Sequence, residues 1–580
     1  MNDFEDAKHS DGDVDPDILD KYSFTNDEEA IKGLLKQHES LEWKETISSI
    51  LENKIIHATL FKLADTIKPN KLIKEKLLQA WRRKQKVDST DPSSMDLTPL
   101  QQELLAPLFN HADVYDFSSK WTEEVEYQSL YCLHILNKIQ NHRKLILRNN
   151  ERLVASPELE VRDQGFTRPG VLILVPFRNI ALSIISIISS LWTNLGGQVD
   201  NQRRLHEELG PSEDDQESKA KRRLTCNQPA DFAHNFRDNI DDCFRIGIKC
   251  TRKALKLFCD FYSSDIIIAS PLGLRMVIDG QSETKKIIIP GTRKTKKKRI
   301  VKKGDYDFLS SIQTLIIDRA QIISMQNWDH LIHVLSFINR LPKNSHGCDF
   351  SRVRNIFLDG LAANTRQNIV FSEFVSPELN SLIRSFKNMH GKWKMLTLNY
   401  PGVLKSLGVT PKFHIVESSN ISSLPAARFK FFTEQILPQY SHSTSRYVIF
   451  IPSYLDFVQL REYFQQSDIG HLILSEYCTP SEISTARAKF AASQARFLLV
   501  TERFHFFKRY RIKGVEQLIF YALPEHAEYF SEWCGFIQPG SGETKVSIPV
   551  LVSPYDYLRI ERIIGTKRIQ QLFNQDKVNK

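Results

Sequence analysis

Val171-Leu-Ile-Leu-Val-Pro-Phe-Arg-Asn-Ile-Ala-Leu-Ser-Ile-Ile-Ser-Ile-Ile-Ser-Ser-Leu-Trp192 is the stretch on which the reading of the whole chain turns. Val171–Val175 is apolar throughout and offers no polar face. Such a strand is buried on both sides, as in a parallel sheet. Pro176-Phe-Arg-Asn179 makes the connection. Ile180, Ile184, Ile187, Ile188 and Leu191 then fall on one helical stripe, with Ser183, Ser186 and Ser190 off it. The same unit recurs downstream. Ile266–Ala269 reads as a strand, Ser270-Pro271 as a turn and Leu272 onward as a helix. Thr314–Asp318 is a strand ending in an acid, and Asn368–Phe371 a short strand ending at Ser372. Strands alternating with helices predict an α/β domain on a parallel sheet.

A second lobe of the same style follows. Tyr447–Ile451, His471–Leu474, Arg496–Thr501, Gln517–Ala522 and Ile548–Val552 are its strand candidates, with helices over 455–464 and 481–492. Upstream, Leu34, Leu35, Leu41, Trp43, Ile47, Ile50 and Leu51 recur at roughly helical spacing, continued by Leu72–Trp81. The expected organisation is an acidic tail over 1–30, a helical extension over 31–118, lobe one over 119–388 and lobe two over 389–580. Lobe one carries two insertions, 198–229 and 280–304, both expected as exposed loops because blocks of like charge repel and do not pack.

The chain has 580 residues and a net charge of +9, unevenly placed. Residues 1–30 hold eleven Asp/Glu against Lys8 and Lys21, a net of −9 that leaves +18 on the rest. A basic body points to an anionic partner such as nucleic acid. The start of the chain is acidic where a secretory signal would be basic. The longest apolar stretch, Ile180–Trp192, is too short for a membrane span, which takes roughly 20 apolar residues. None of the eight cysteines forms a Cys-x-x-Cys pair or a zinc-ligand spacing, so reduced thiols and no metal are expected.

The strand ends, where ligands bind in such folds, narrow the class. Val175-Pro-Phe-Arg-Asn-Ile-Ala181 resembles the Pro-Thr-Arg-Glu-Leu-Ala motif of DEAD-box RNA helicases, and Ser270-Pro-Leu-Gly-Leu-Arg275 resembles their Thr-Pro-Gly-Arg motif. Both hold RNA in that family. Leu315-Ile-Ile-Asp-Arg-Ala-Gln321 stands where Asp-Glu-Ala-Asp belongs, and Thr365–Ser372 resembles the approach to Ser-Ala-Thr. Val448-Ile-Phe450, Leu499–Glu502, Ile512–Val515 and Tyr521–Pro524 follow the second-lobe pattern. These resemblances imply two tandem RecA-like parallel-sheet lobes, a degenerate DEAD-box core.

The ATP chemistry is missing from that frame. A phosphate loop needs Gly-x-x-x-x-Gly-Lys-Ser/Thr, so that backbone N–H groups wrap the phosphates and the Lys reaches the β/γ oxygens. None precedes Val171. Gly540-Ser-Gly-Glu-Thr544 lies in the wrong lobe and puts Glu543 where the Lys should be. Asp318 remains as a vestigial acid, but Arg319 replaces the Glu that would position water. No Arg or Lys occurs from Glu525 to Ile537, where the arginine-rich motif belongs. Phosphoryl transfer rests on positioning and cationic stabilisation, an arginine finger alone being worth roughly 10³–10⁵ in rate. The expectation is a non-enzyme with no cofactor. A residual ATP-dependent helicase is one alternative and a protein-only assembly adaptor another.

The RNA-side features survive better. Arg178 and Arg275 stand at lobe-one strand ends. Thr501–Arg511 interleaves Arg503, Lys508, Arg509 and Arg511 with Phe504, Phe506, Phe507 and Tyr510. Cations there can pair phosphates while aromatic faces stack bases, or the aromatics can be the core face of a helix. The stretch 285–303 holds ten Lys/Arg, among them Lys294, Lys296, Lys297, Lys298 and Arg299, and no acid. It suits sequence-independent phosphate binding or a nuclear import signal.

Several longer strings carry a closer match: Arg162-Asp-Gln-Gly-Phe-Thr-Arg-Pro169, Asn239-Ile-Asp-Asp-Cys-Phe-Arg-Ile-Gly247, Phe261-Tyr-Ser-Ser-Asp265, Met325-Gln-Asn-Trp328, Ile451-Pro-Ser-Tyr454 and Thr501-Glu-Arg-Phe-His-Phe-Phe507. Through them the chain resembles the U3 small nucleolar RNA-associated, DEAD-box-like family also called digestive organ expansion factor. The resemblance implies a nucleolar, non-catalytic RNA/protein scaffold of the small-subunit processome. Its implied partners are U3 RNA, the 18S rRNA precursor and processome proteins.

Overall fold

The computed structural model describes residues 42–59 except 49, then 73–85, 95–211, 228–280, 282–288, 295–301, 303–404, 409–440, 443–538 and 546–569, with Gly33 and Lys36 isolated. The expected acidic tail and Lys294 lie outside the described residues. Two compact units divide the chain, 1–397 and 398–580.

The first unit is built on one sheet of eleven strands. In chain order the strands are β1 (Lys44–Ile47), β2 (Lys54–Thr59), β3 (Asp113–Phe117), β4 (Val171–Leu174), β5 (Gln198–Asp200), β6 (Arg245–Cys250), β7 (Ala254–Cys259) and β8 (Ile266–Ala269). A separate ribbon pairs β9 (Ser282–Ile288) with β10 (Thr295–Val301), and β11 (Thr314–Ile317), β12 (Gln367–Phe371) and β13 (Gly391–Leu396) complete the sheet. The spatial order is β1-β2-β13-β3-β12-β11-β4-β8-β6-β7-β5. β13, β3, β12, β11, β4 and β8 run parallel. At β3 the strand order reverses, and there such sheets open a ligand crevice beyond their carboxyl ends. The helices that matter here are α1 (Glu75–Gln85), α2 (Pro99–Phe109), α3 (Glu124–Ala155), α4 (Arg178–Asn194), α5 (Ala230–Asn235) and α6 (Pro271–Asp279).

The core explains these elements. Leu172, Leu174, Ile267, Leu315 and Ile317 lie in one buried cluster with Leu274 and Ile278 of α6. Each fully buried aliphatic side chain contributes about 1.5–3 kcal/mol. The helix stripe predicted on α4 is real: Ile180, Ile184, Ile188 and Leu191 are buried.

Three expectations need correction. The helical reading of Trp43–Leu51 fails because β1 and β2 form an antiparallel pair that extends the main sheet through β13. The helical part of the extension is α1 and α2. Within the basic 285–303 stretch, residues 285–288 and 295–301 belong to a two-stranded ribbon and not a loop, and Gln198–Asp200 of the other insertion is a sheet strand. Finally, β3 precedes residue 119 and β13 follows residue 388, so the first sheet reaches beyond both expected limits of lobe one.

The second unit holds β14 (Val409–Ile415), β15 (Tyr447–Ile451), β16 (His471–Leu474), β17 (Phe497–Thr501), β18 (Gln517–Phe520) and β19 (Val546–Val552). They form one all-parallel sheet in the order β14-β19-β18-β15-β17-β16. Its relevant helices are α7 (Tyr454–Gln466), α8 (Pro480–Ala491), α9 (Glu502–Lys508) and α10 (Tyr557–Ile564). The chain is therefore α/β with two tandem RecA-like lobes. Among the described residues no helix is long and apolar enough to cross a membrane.

Candidate functional site

The crevice of the first unit opens where β3, β12 and β11 end. After β3 comes Ser118-Ser-Lys-Trp-Thr-Glu123, the position of a phosphate loop, and it contains no glycine. Two of its backbone donors, those of Ser118 and Lys120, are already committed to carboxylates. The Ser118 N–H and hydroxyl both donate to Asp116, at 2.9 and 2.8 Å. The Lys120 N–H donates to the Glu123 carboxylate at 3.3 Å. Ser119 donates to the Ser372 carbonyl at 3.0 Å, closing the gap between the ends of β3 and β12. The chain's own carboxylates thus accept from N–H groups that would face phosphate in a nucleotide-binding loop.

Beyond β11, Asp318 is fully buried. It accepts hydrogen bonds from the Tyr127 hydroxyl at 3.1 Å, the Gln128 amide at 2.9 Å and the Tyr131 hydroxyl at 2.9 Å. All three donors project from the first turns of α3. Tyr127 also stacks on Phe371 of β12 at 4.3 Å. Burial, reinforced by the neighbouring Glu124 carboxylate, pushes Asp318 up to about 6. Burial pushes Asp116 up to about 7.

Arg319 adopts a left-handed backbone, φ 54°, and turns its guanidinium inward. It pairs with Glu124, the first residue of α3, and donates to Asn235 of α5 at 2.7 Å. His234 of α5 lies 2.7 Å from the same Glu124 carboxylate. Burial alone would raise Glu124, but the His234 hydrogen bond and the Arg319 charge outweigh it and hold the carboxyl below its ordinary value. Arg319 is therefore one half of a buried ion pair.

Sequence reasoning located Asp318 and Arg319 but missed Asp116, Glu124, Tyr127, Gln128, Tyr131 and His234. One signal was available: Glu123, Glu124 and Glu126 stand ahead of Val171, where a phosphate loop would be glycine-rich and basic.

The predicted RNA contacts are scattered among several settings. Arg178, the first residue of α4, pairs with Asp241 at 2.9 Å and donates to the Glu208 and Cys243 carbonyls. It pins the 241–243 segment against the end of β4. Arg275 of α6 pairs with Asp279 at 3.1 Å and lies 2.9 Å from His330. In the second unit Arg503 lies 3.7 Å from Glu476, while Lys508 and Arg511 are exposed. Arg509 was expected at phosphate, but its side chain is 3% exposed and gripped by Glu532 at 2.6 Å. Glu532 sits at about 2: burial would raise it, yet the His505 and Arg509 hydrogen bonds prevail. Phe504 and Phe506 are core residues, so α9 follows the packing alternative and these rings stack no base. Of the basic ribbon, Lys296, Lys297, Lys298 and Arg299 lie on β10, with Lys297 opposite Lys286 and Lys298 opposite Lys285. After Pro524, Glu525 holds Arg559 and Arg562 of α10.

Sheet order and crevice define the class, a tandem RecA-like chain of NTP-hydrolase-like architecture. Residues 111–393 match the family model "UTP25, NTP hydrolase-like domain", and residues 404–579 match "Utp25, C-terminal domain". The chain belongs to the U3 small nucleolar RNA-associated protein 25 family. It is 35% identical to the human homolog, across 99% of this chain and 78% of that protein. Identity to the Xenopus tropicalis homolog is 37%, across 86% of this chain and 64% of that protein. The chain thus spans under two thirds of some curated relatives. Among solved structures, the yeast DEAD-box splicing factor Prp28 aligns over 92% of this chain and 91% of its own at 12% identity and a TM-score of 0.30. The fold assignment rests on the sheet order alone.

Proposed function

We propose that the chain is a nucleotide-silent RNA/protein scaffold that acts with U3 small nucleolar RNA in the small-subunit processome, on the path to 18S rRNA, in the nucleolus. One observation carries the nucleotide-silent part. The Asp318 carboxylate and the N–H groups after β3 are satisfied by the chain itself, through α3, Asp116 and Glu123. A triphosphate would have to displace these contacts and approach three carboxylates, which repel it. The process comes from family membership. With hydrolysis absent, nothing chemical drives the lobes, and the protein acts by what it holds. Arg178, Arg275, Arg503, Lys508, Arg511 and the β9–β10 ribbon remain as RNA contacts in this reading; Arg509 drops out because it is buried.

A protein-only adaptor is the second reading, and one observation favours it: Arg178 and Arg275 are already paired within the chain. Crosslinking of the tagged protein to RNA in cells separates the two. The scaffold reading predicts reads on U3 RNA and the 18S precursor, reduced several-fold by Lys508→Ala with Arg511→Ala. Association with the processome that survives high salt, without RNA crosslinks, contradicts it.

A further inference from the structure

The basic ribbon starts and ends at one place, the carboxyl end of α6. β9 and β10 form a two-stranded sheet of their own, apart from the eleven-stranded one. The Val277 carbonyl accepts from the Gly280 N–H at 3.3 Å ahead of β9 and from the Asp305 N–H at 3.1 Å after β10. Gly304 lies so close that a Cβ there would meet the Ile278 carbonyl oxygen at 2.1 Å. Tyr262 holds the Asp305 carboxylate at 2.8 Å. Both legs are thus pinned side by side to the helix that carries Arg275.

The register sorts the cations. Residues opposite each other in an antiparallel pair share a face, and faces alternate along each strand. Lys286, Lys297 and Arg299 therefore share one face, and Lys285, Lys296 and Lys298 the other. The two strands contain one acid, Glu283, on the second face. A ribbon laid on a protein core would collect its apolar residues on one side. Here Ile288 and Val301 fall on the first face, Ile287 and Ile300 on the second. Lys297 stands opposite Lys286 and Lys298 opposite Lys285, pairings that destabilise an isolated ribbon. Each face therefore calls for anionic charge against it. The acids at the feet do not supply it: Asp279 is engaged by Arg275 and His333, and Asp305 by Tyr262. Exposed Lys303 and Lys343 continue the positive surface to the base.

A single strand of nucleic acid lying along the ribbon would neutralise one face and leave three cations on the other. Two rows of phosphate with a gap between them neutralise both, and that is the groove of a double helix. A two-stranded ribbon is narrow enough to enter a major groove. In RNA that groove is deep and narrow, so entry requires a place where unpaired nucleotides widen it.

We propose that the β9–β10 ribbon inserts into the major groove of an RNA helix at a bulge, with one face toward each phosphate wall and Arg275 near the point of entry. This rests on the RNA-scaffold reading and deepens it by naming helical RNA as the ligand of the ribbon. Recognition is by shape and charge, without a base code.

The test measures binding of the full chain to three fluorescent RNAs: a bulged helix, the same helix without the bulge, and one of its strands alone. The bulged helix should bind tightest. Two triple variants neutralise one face each, Lys286→Gln with Lys297→Gln and Arg299→Gln, and Lys285→Gln with Lys296→Gln and Lys298→Gln. Each should weaken binding of the bulged helix at least about tenfold and reduce the salt slope by about 2–3, three phosphate contacts being lost. Replacing Lys285, Lys296 and Lys298 by Arg should retain binding, which separates loss of charge from loss of the ribbon. Loss from one face alone, or a single strand bound as tightly as the bulged helix, overturns groove insertion while leaving the scaffold reading intact. Failure of the wild-type chain to bind any of the three overturns both. Loss of a processome protein, or of nuclear entry, from the triple variants with RNA affinity unchanged assigns the ribbon to a protein partner and also overturns the proposal.

Discussion

Arg319 forms a buried ion pair with Glu124 just beyond β11. Its side chain is 4% exposed and that of Glu124 1%. Removing one partner of such a pair strands a buried charge, which costs about 3–5 kcal/mol. Arg319→Leu should therefore lower the urea midpoint of the first unit sharply, and adding Glu124→Gln should return much of the loss. Asp116 gives a pH signature. Its folded pKa of about 7 lies above the unfolded value of 3.8. The folded state holds the proton longer, so stability falls as pH rises from about 4 through 7. Asp116→Asn removes that dependence. Its gain in thermal stability over the parent should be larger at pH 8 than at pH 5, by roughly 2 kcal/mol; an equal gain at both pH values contradicts the burial of an ionisable group there.

At the scale of elements, apolar strands were readable and polar ones were not. β4, β8 and β11 announce themselves as unbroken aliphatic runs. β3 is Asp-Val-Tyr-Asp-Phe, and its acids hide it. Asp113 is nevertheless fully buried, because Tyr115, Asn368 and Asn388 all donate to it. Asn368 and Asn388 are distant in sequence, so no local pattern reveals the strand. β1 misled for the opposite reason: Trp43, Ile47 and Ile50 fit a helical stripe, and only pairing through β2 to β13 decides otherwise. The Thr-Pro-Gly-Arg-like turn was recognised, but its glycine has a packing role as well. A Cβ on Gly273 would meet the Phe244 carbonyl oxygen at 2.3 Å and its nitrogen at 2.8 Å. Backbone cannot yield as a flexible side chain can. Gly273→Ala should cost at least about 1–3 kcal/mol in urea unfolding, the usual penalty of overpacking. A neutral result would show that α6 shifts freely against β6.

At the scale of the molecule, the sequence pointed to the end of β11 but not to what packs against it. That element is α3, whose first turns insert Glu124, Tyr127, Gln128 and Tyr131 among the strand ends. Those side chains lie far from Asp318 and Arg319 along the chain, and no motif search joins them. They hold Asp318 and Arg319 in one buried hydrogen-bonded and ion-paired cluster. The direct test is calorimetric titration of the full chain with Mg-ATP at millimolar concentration. The account predicts no saturable heat and no change in thermal stability. Saturable binding that is lost on Lys120→Ala would place a nucleotide in the crevice and contradict it.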